Sequence, residues 1–233
     1  MRDTLDVLVP QRCVGCGNPG GGICDDCRPG LVAVPHFPES AIRRELFDVP
    51  IVSAWSYSGV RRAVILGYKD RGVMSLETAI VGALLDAVAF LRPHLPAGEI
   101  VLAPIPSSLR GWLSRGREPV ADLARQVGRR VGSSQGVRVT PLLRRGRTLG
   151  SPGTWWRAPG SRRSRSRRER IANPPHFLVR GSRPPGAVVL VDDVFTTGTT
   201  VEAAAAALRL SGIPVAGVVT VAWTPPRSLP SRG

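Results

Sequence analysis

The stretch that decides the fold is Val188-Val189-Leu190-Val191-Asp192-Asp193-Val194-Phe195-Thr196-Thr197-Gly198-Thr199-Thr200. It begins as an almost pure Val/Leu run, which is typical of a strand buried on both faces in a parallel sheet. Two acidic residues and a threonine-rich turn follow, and an alanine-rich helical pattern then runs over residues 201–210 and stops at Gly212. A buried strand, a polar turn and a helix in this order predict one unit of an α/β domain.

The rest of the chain alternates short apolar runs with helical periods, which predicts a parallel sheet covered by helices. The predicted strands are residues 51–57, 99–103, 137–142, 187–191 and 213–223, and the predicted helices are residues 59–69, 75–91, 119–131 and 201–210. A length of 233 residues allows one such domain with a small appendage. The expected organisation is a module over residues 1–32, a linker over 33–48, an α/β domain over 49–223 and a polar tail over 224–233.

The polar turn brings together groups that bind phosphate and groups that bind sugar. Ligands of open α/β sheets collect at the carboxyl ends of the strands, and a helix start offers N–H groups and a positive dipole end to an anion. Threonine hydroxyls around a glycine add donors without bulk. The residues expected to hold a phosphate are Thr196, Thr197, Gly198, Thr199 and Thr200. Asp192 and Asp193 would accept hydrogen bonds from ribose hydroxyls, directly or through a divalent cation.

Ordinary helix capping is the alternative explanation for this turn, since Asp and Thr are common caps. Two adjacent acids followed by Thr-Thr-Gly-Thr-Thr exceed what one cap needs. The chain has no Gly-Lys-Ser/Thr sequence, which argues against a nucleotide triphosphatase loop.

The apolar strand, the Asp-Asp pair and the Thr-Thr-Gly-Thr sequence resemble the phosphoribosyl-pyrophosphate (PRPP) binding motif of type I phosphoribosyltransferases. The resemblance implies a type I phosphoribosyltransferase-like sheet with flanking helices. It also implies that Asp192 and Asp193 form the catalytic, ribose-binding pair and that residues 196–200 bind the 5′-phosphate. The ligand would be PRPP, or another 5-phosphoribosyl compound, bound together with Mg²⁺.

Over nearly its whole length the chain resembles the ComF family (competence protein F, or amidophosphoribosyltransferase-like), which joins a four-cysteine module to such a domain. The stretches that match are Tyr57-Ser58-Gly59-Val60-Arg61 followed by Tyr68-Lys69, then Ala103-Pro104-Ile105-Pro106-Ser107, and Arg170-Ile171-Ala172-Asn173 with Phe177. The resemblance implies that Ile105, Pro106 and Ser107 lie where these enzymes bind diphosphate. It extends a diphosphate-binding role to Lys69, for which a solvated surface position is the alternative.

Two substrate-side motifs depart from the family pattern. Arg115-Gly116 is followed by Arg117-Glu118-Pro119 instead of Phe-Asn-Gln, and the glutamine expected earlier in the mobile loop has no clear counterpart in residues 150–160. These departures bear on turnover more than on PRPP binding. Two functions therefore stay open: transfer of phosphoribose to an acceptor that the sequence does not name, or binding without turnover, as a PRPP sensor or a single-stranded DNA-binding protein.

Cys13, Cys16, Cys24 and Cys27 form two Cys-x-x-Cys pairs separated by seven residues. This spacing predicts a tetrahedral, structural zinc site, because four thiolates leave no coordination position for water. Two disulfides or an iron–sulfur cluster are the alternatives.

The formal charge of +15 is unevenly distributed, since residues 138–183 contain thirteen arginines and a single acidic residue, Glu169. Residues 144–175 lack any apolar period, which predicts a mobile basic loop. Such a loop would attract polyanions, including single-stranded DNA or a phosphorylated substrate; a merely solvated segment is the alternative. Trp155 and Trp156 could stack on bases or pack the loop down. Competence proteins are the further partners that the family resemblance suggests.

Nothing in the sequence resembles a signal peptide or a long uninterrupted apolar span. The first six residues have no basic, apolar leader pattern, and the longest apolar segment, residues 79–91, is interrupted by Asp86. We therefore expect a soluble, cytoplasmic protein without membrane insertion.

Overall fold

A computed structural model describes residues 12–19, 21–38, 49–132, 136–146 and 175–225. Its strands are β1 (Ile51–Ser56), β2 (Ile100–Pro104), β3 (Val137–Val139), β4 (Leu143–Arg145), β5 (Phe177–Val179), β6 (Ala187–Phe195) and β7 (Val215–Trp223). Five of them form a parallel sheet in the order β1-β7-β6-β2-β3, and β4 pairs with β5 in a separate antiparallel ribbon. The predicted α/β class with a parallel sheet is confirmed.

Helices cover both faces of this sheet. They are α1 (Gly59–Arg71), α2 (Glu77–Leu91), α3 (Leu109–Arg115), α4 (Pro119–Val131) and α5 (Thr199–Leu210), with single 3₁₀ turns at Arg28–Leu31, Met74–Leu76 and Arg92–His94. One apolar core lies between the sheet and α1, α2 and α4; the other lies between the sheet, α5 and the β4–β5 ribbon. Alternate residues of β6 serve the two cores, with Val189 and Val191 in the first and Val188 and Leu190 in the second.

Several elements differ from the sequence prediction. β6 continues to Phe195 because β7 pairs with it as far as Trp223, so both acidic residues belong to the strand. β3 is shorter than predicted and ends at Val139. Neither α3 nor the β4–β5 ribbon was predicted, since elements of seven or three residues are too short to show an apolar period.

Part of the segment interpreted as a linker lies against the outer edge of β1. The Val34 N–H donates to the Ala54 carbonyl at 3.1 Å, and His36 and Ser53 exchange two backbone hydrogen bonds of 3.1 Å. The strand edge that would otherwise be exposed is thereby covered. Residues 39–48, the end of this segment, lie outside the described residues.

The basic segment is described only at its two ends. Arg144 and Arg145, at its start, belong to β4 and pair with β5. Residues 147–174 lie outside the described part of the chain, and with them the predicted mobile loop, Trp155, Trp156 and the Arg170–Asn173 motif. Residues 226–233 of the predicted polar tail also lie outside the described residues.

One stretch, Met74–His94, is long and apolar enough to cross a membrane by length and composition. Core helices of soluble proteins pass the same test, and 44% of its apolar window is buried in this domain. Its main helix, α2, buries seven residues and contacts β1 and β7. The segment is therefore weak evidence for a membrane span.

Candidate functional site

The acidic pair, Asp192 and Asp193, lies where β6 extends past its neighbour β2. Pro104, the last residue of β2, is the register partner of Val191, so residues 192–195 pair only with β7. The strand prediction had placed both acids immediately after the strand. They lie instead at its carboxyl end, with one side of the strand open.

This end of β6 is next to the point at which the sheet reverses its strand order. The chain moves from β2 outward to β3, whereas it moves from β6 in the opposite direction to β7. The helices of these two connections, α4 and α5, pack on opposite faces of the sheet. The loops after β2 and β6 therefore flank the crevice where ligands bind in open α/β sheets.

Lys69 of α1 forms an ion pair with Asp193, and the two residues are 124 positions apart in the chain. The Lys69 side chain keeps 32% of its surface exposed and that of Asp193 keeps 14%. Burial alone would lower the pKa of Lys69, but the negative charges of Asp193 and then Asp192 outweigh it and raise that pKa. A solvated surface position, the alternative considered for Lys69, does not describe this geometry.

The two carboxyl groups have opposite pKa shifts. Burial raises the pKa of Asp192 to about 8, and the neighbouring charge of Asp193 adds to the increase. Burial also acts against ionisation of Asp193, but the charge and hydrogen bond of Lys69 outweigh it, so the pKa of Asp193 is lowered. One ammonium group thus serves two carboxyl groups, and a divalent cation would supply the missing positive charge.

The acidic pair also bonds to its own backbone. The Asp193 N–H donates to Asp192 Oδ1 and the Val194 N–H donates to Asp193 Oδ1, each at 2.8 Å. One oxygen of each carboxylate is held in this way. The second oxygen of Asp193 contacts Lys69.

The threonine turn, residues 196–200, connects β6 to α5. Gly198 precedes the helix with φ of 76°, a conformation that glycine adopts more readily than any other residue. Thr197 Oγ1 lies 2.9 Å from Thr199 Oγ1 and accepts from the Thr199 N–H at 3.5 Å. The turn thus places hydroxyl groups at the start of a twelve-residue helix, where an anion is stabilised by the dipole.

The loop after β2 lies on the other side of the crevice. Ile105 is buried and its N–H donates to the Val191 carbonyl at 2.9 Å, so this loop is fastened directly to β6. The Ser107 N–H donates to Glu118 Oε2 at 2.9 Å. Ile105 therefore adjoins the end of β6, and Pro106 and Ser107 follow it in the same loop.

Arg115 is a site residue that sequence reasoning noted only as a partial motif. Its Nη2 donates to Ser107 Oγ at 3.3 Å, and its Nη1 lies 3.5 Å from Asp70 Oδ1. Since Asp70 follows Lys69, this arginine links the end of α1 to the loop after β2. The Nε atom of Arg115 is buried and has no hydrogen-bond partner in the described structure.

Tyr57 and Arg62 also belong to the surroundings of the pair. Burial raises the pKa of Tyr57, and the charge of Asp193 adds to that increase. The Arg62 guanidinium lies 5.8 Å from the centre of the Tyr57 ring. Tyr57 belongs to a segment that resembles the family pattern, whereas Arg62 was not identified from the sequence.

A shallow groove elsewhere on the protein is basic but does not contact the acidic pair. It lies between α4 and β3 and is lined by Arg125, Arg129 and Arg138. Two of these arginines form ion pairs with acids, Arg125 with Asp122 and Arg138 with Glu99. The groove therefore has little unpaired charge for an anionic ligand.

The four cysteines form a second candidate site. Their ligand atoms all lie within 4.8 Å of one another, and the cysteines are free, without disulfides. Cys16 Sγ and Cys24 Sγ are 3.5 Å apart, close to the ~3.8 Å expected for two thiolates on one tetrahedral zinc ion. The cluster could hold a metal ion and is compatible with structural zinc.

The cysteine pKa values fit a cluster that needs a cation. Burial opposes ionisation of Cys13, but backbone N–H groups, chiefly that of Cys24, outweigh it and lower its pKa to about 6. The neighbouring Cys24 thiol, and then burial, raise the pKa of Cys27 to about 12. Without a metal, the thiols of Cys24 and Cys27 resist ionisation, since their pKa values are raised, whereas the Cys13 thiol ionises more readily.

Comparison with known proteins adds nothing to these observations. No protein-family model matches the sequence, and no curated protein is significantly similar to it. The function therefore has to be inferred from the residues and their geometry.

Proposed function

We propose that this protein binds PRPP with Mg²⁺ at the carboxyl end of β6, as a type I phosphoribosyltransferase-like protein of the ComF kind. The observation that carries the proposal is that three elements lie at the same end of β6: the acidic pair, the threonine turn and the loop after β2. Each element has the chemistry that one part of PRPP requires.

The parts of the ligand are assigned by charge and hydrogen-bonding capacity. The threonine turn receives the 5′-phosphate, since hydroxyls and helix N–H groups are donors. The acidic pair accepts hydrogen bonds from the ribose hydroxyls. Lys69, with residues 105–107, faces the diphosphate. The order along the site, from turn to acidic pair to loop, follows the order of groups along the ligand.

The acidic pair also suits Mg²⁺, which prefers carboxylate oxygens and bound phosphates. The surplus carboxyl of Asp192 is the chemical reason, because the single ammonium of Lys69 leaves it uncompensated. A bound cation would supply charge neutralisation for the diphosphate and the acidic pair.

For turnover, the bond between the anomeric carbon and diphosphate breaks while a nucleophile bonds to that carbon. The diphosphate leaves with the electron pair, and the nucleophile loses its proton to solvent or to a base on the acceptor. Residues of this chain would act by positioning and by stabilising charge. Asp192 and Asp193 hold the sugar, and Lys69 stabilises the leaving diphosphate.

Isothermal titration of PRPP with Mg²⁺ into wild type and the Asp192→Ala/Asp193→Ala variant tests the proposal. We expect binding by wild type and a loss of at least about 100-fold in the variant, because a desolvated charged contact contributes a few kcal/mol. Asp86→Asn, which removes an exposed carboxylate from α2, is the control and should bind like wild type. Equal affinity in wild type and the double variant contradicts the assigned site.

We also propose that the four-cysteine module is a structural zinc site. Four cysteines fill a tetrahedral coordination sphere, which leaves no position for catalysis. We expect metal analysis of the purified protein to find one equivalent of zinc. Iron with a visible charge-transfer band would identify the cluster alternative instead.

A second candidate function, single-stranded DNA binding, is favoured by the thirteen arginines of residues 138–183. If the basic segment binds DNA, affinity falls steeply with salt, and deletion of residues 157–170 flattens that dependence. An undetectable or salt-independent interaction removes this candidate. Action inside the cytoplasm, alongside competence proteins, is part of the same proposal.

A further inference from the structure

Helix α1 has two faces that contact different parts of the protein. At 3.6 residues per turn, residues seven apart share a face, and residues two apart lie on nearly opposite faces. Val60 and Gly67 form one such pair, and Arg62 and Lys69 form the other. Because Lys69 pairs with Asp193, the face that carries Val60 and Gly67 is turned away from the acidic pair.

The face with Val60 and Gly67 packs against the four-cysteine module, whose described residues are 12–19 and 21–32. A Cβ atom added at Gly15 would lie 2.9 Å from Val60 Cγ2, and one at Gly30 would lie 2.7 Å from Val60 Cγ1. A Cβ atom at Gly67 would lie 3.2 Å from Val14 Cγ1. Val14 and Gly15 stand between Cys13 and Cys16, so the metal-binding loop itself makes this contact.

Arg61 fastens the same module to α1 through hydrogen bonds. Its Nε donates to the Gly30 carbonyl at 2.8 Å and its Nη2 donates to the Val32 carbonyl at 3.1 Å. Trp55 of β1 adds a bond from Nε1 to the Leu31 carbonyl at 3.2 Å. The backbone just after the last cysteine is thus held by side chains of the α/β domain.

Outside the module, α1 packs into the first apolar core through Val64, Ile65 and Tyr68. It also contacts α2 and the turn at Met74–Leu76. The module is too small to form its own apolar core, so its conformation depends on the metal. Removing the metal would therefore remove one of the main supports of α1.

We propose that the metal-bound four-cysteine module positions Lys69 for ligand binding through α1, with Arg61 as the positioning residue. This inference rests on the proposed function of the acidic pair. It assigns the module a role beyond its own folding, because loss of the metal weakens a site that contains no cysteine. Asp70 extends the effect to Arg115 and the loop after β2.

Hydrogen exchange tests, without any ligand, whether the metal-bound module stabilises α1. The protein is compared with and without chelation of its metal, and protection is measured in α1 and, as the control, in α4. We expect exchange in residues 59–71 to rise about tenfold or more while α4 keeps its protection, since local opening is confined to the element that loses its support. The proposal is overturned if chelation changes the exchange rates of α1 and α4 equally, whether both stay slow or both become fast.

A double-mutant cycle tests the link to Lys69. Arg61→Met should retain the metal and bind PRPP with Mg²⁺ about tenfold more weakly than wild type, a loss of about 1.4 kcal/mol. In a Lys69→Met background the same change should have no further effect, because its influence passes through Lys69. A merely structural role predicts equal losses in both backgrounds, and that outcome overturns the proposal.

Val127→Ala is the control for general destabilisation. Val127 is buried on α4, on the same sheet face as α1, and belongs to neither the acidic pair nor the module. This variant should lower the melting temperature and leave PRPP affinity unchanged; a matching loss of affinity contradicts positioning by Arg61. If wild type binds no PRPP, the proposed function fails, while the exchange experiment still decides the coupling of module and helix.

Discussion

Two polar pairs lie side by side in the sheet, and they differ in how completely they are satisfied. Ser53 of β1 and Thr220 of β7 are fully buried, and their hydroxyl oxygens are 2.7 Å apart. Thr220 is also the register partner of Asp192, so the charged group of Lys69, Asp192 and Asp193 lies in the same part of the sheet. The neutral pair is satisfied within the sheet, since Thr220 Oγ1 also donates to the Ala222 carbonyl at 3.3 Å. The charged group, in contrast, has one cation for two carboxyls.

This difference separates a structural polar pair of the sheet from a candidate ligand-binding pair. A neutral, fully buried and hydrogen-bonded pair is not accessible to a ligand and stabilises the pairing of β1 with β7. An incompletely compensated acidic pair is costly in the empty protein and becomes favourable when a ligand and a cation arrive. Variants of one pair that leave the other intact can separate the two roles.

The largest expected effect is on ligand affinity. Asp193→Asn should weaken binding of PRPP with Mg²⁺ by about 100-fold, since the ligand loses a buried charged contact of a few kcal/mol. Thr220→Val, one strand away, should change affinity less than about threefold. Titration calorimetry of both variants measures the difference; similar losses in the two would show that the acidic pair has no special role.

A smaller effect is expected on the stability of the neutral pair. Thr220→Val should lower the free energy of unfolding by about 2 kcal/mol, because the buried hydroxyl of Ser53 loses its partner. Combining it with Ser53→Ala should recover most of that loss, since no unsatisfied group remains. Denaturant unfolding of the two single variants and the double variant checks this, and strictly additive losses would contradict a mutual bond.

The smallest expected effect is a gain in stability at the charged group. The raised pKa of Asp192, about 8, means that the folded protein binds a proton that the unfolded chain releases between roughly pH 4 and pH 8. Stability contributed by that proton is lost as the pH rises through this range. Asp192→Asn should therefore raise the melting temperature of the protein without Mg²⁺ or ligand by a few degrees at pH 8 and less at pH 5.

Thermal melts in Mg²⁺-free buffer without chelator, at the two pH values, measure this difference, with the exposed-carboxylate variant Asp86→Asn as the control. A lower melting temperature for Asp192→Asn at pH 8 would show that the carboxyl stabilises the empty fold. The same variant should bind PRPP more weakly, which would make the acidic pair a functional rather than a structural feature.

The sequence predicted those features that depend on neighbouring residues. The Val/Leu run before Asp192, the Gly198 turn and the spacing of Cys13 to Cys27 are local patterns, and the strand, the turn and the cysteine cluster follow from them. The parallel sheet followed from alternation of strands and helices. Strand order, and with it the reversal between β2 and β6, is set by packing of distant segments and has no local signature.

The contacts that form the candidate site also join segments that are far apart in the chain. The family resemblance pointed to Lys69, but its pairing with Asp193 spans 124 positions and depends on how α1 packs. Arg115 belongs to α3, a helix too short for its period to be recognised. The support of α1 by the cysteine module was not predicted either, because it depends on glycine contacts that only the folded chain brings together.

A crystal structure of the protein with PRPP and Mg²⁺ tests the central claim most directly. The account predicts the 5′-phosphate within hydrogen-bond distance of the turn at residues 196–200, and the ribose hydroxyls against Asp192 and Asp193. Density for the ligand in the groove between α4 and β3, or an acidic pair still closed on Lys69 at saturating ligand, would contradict it.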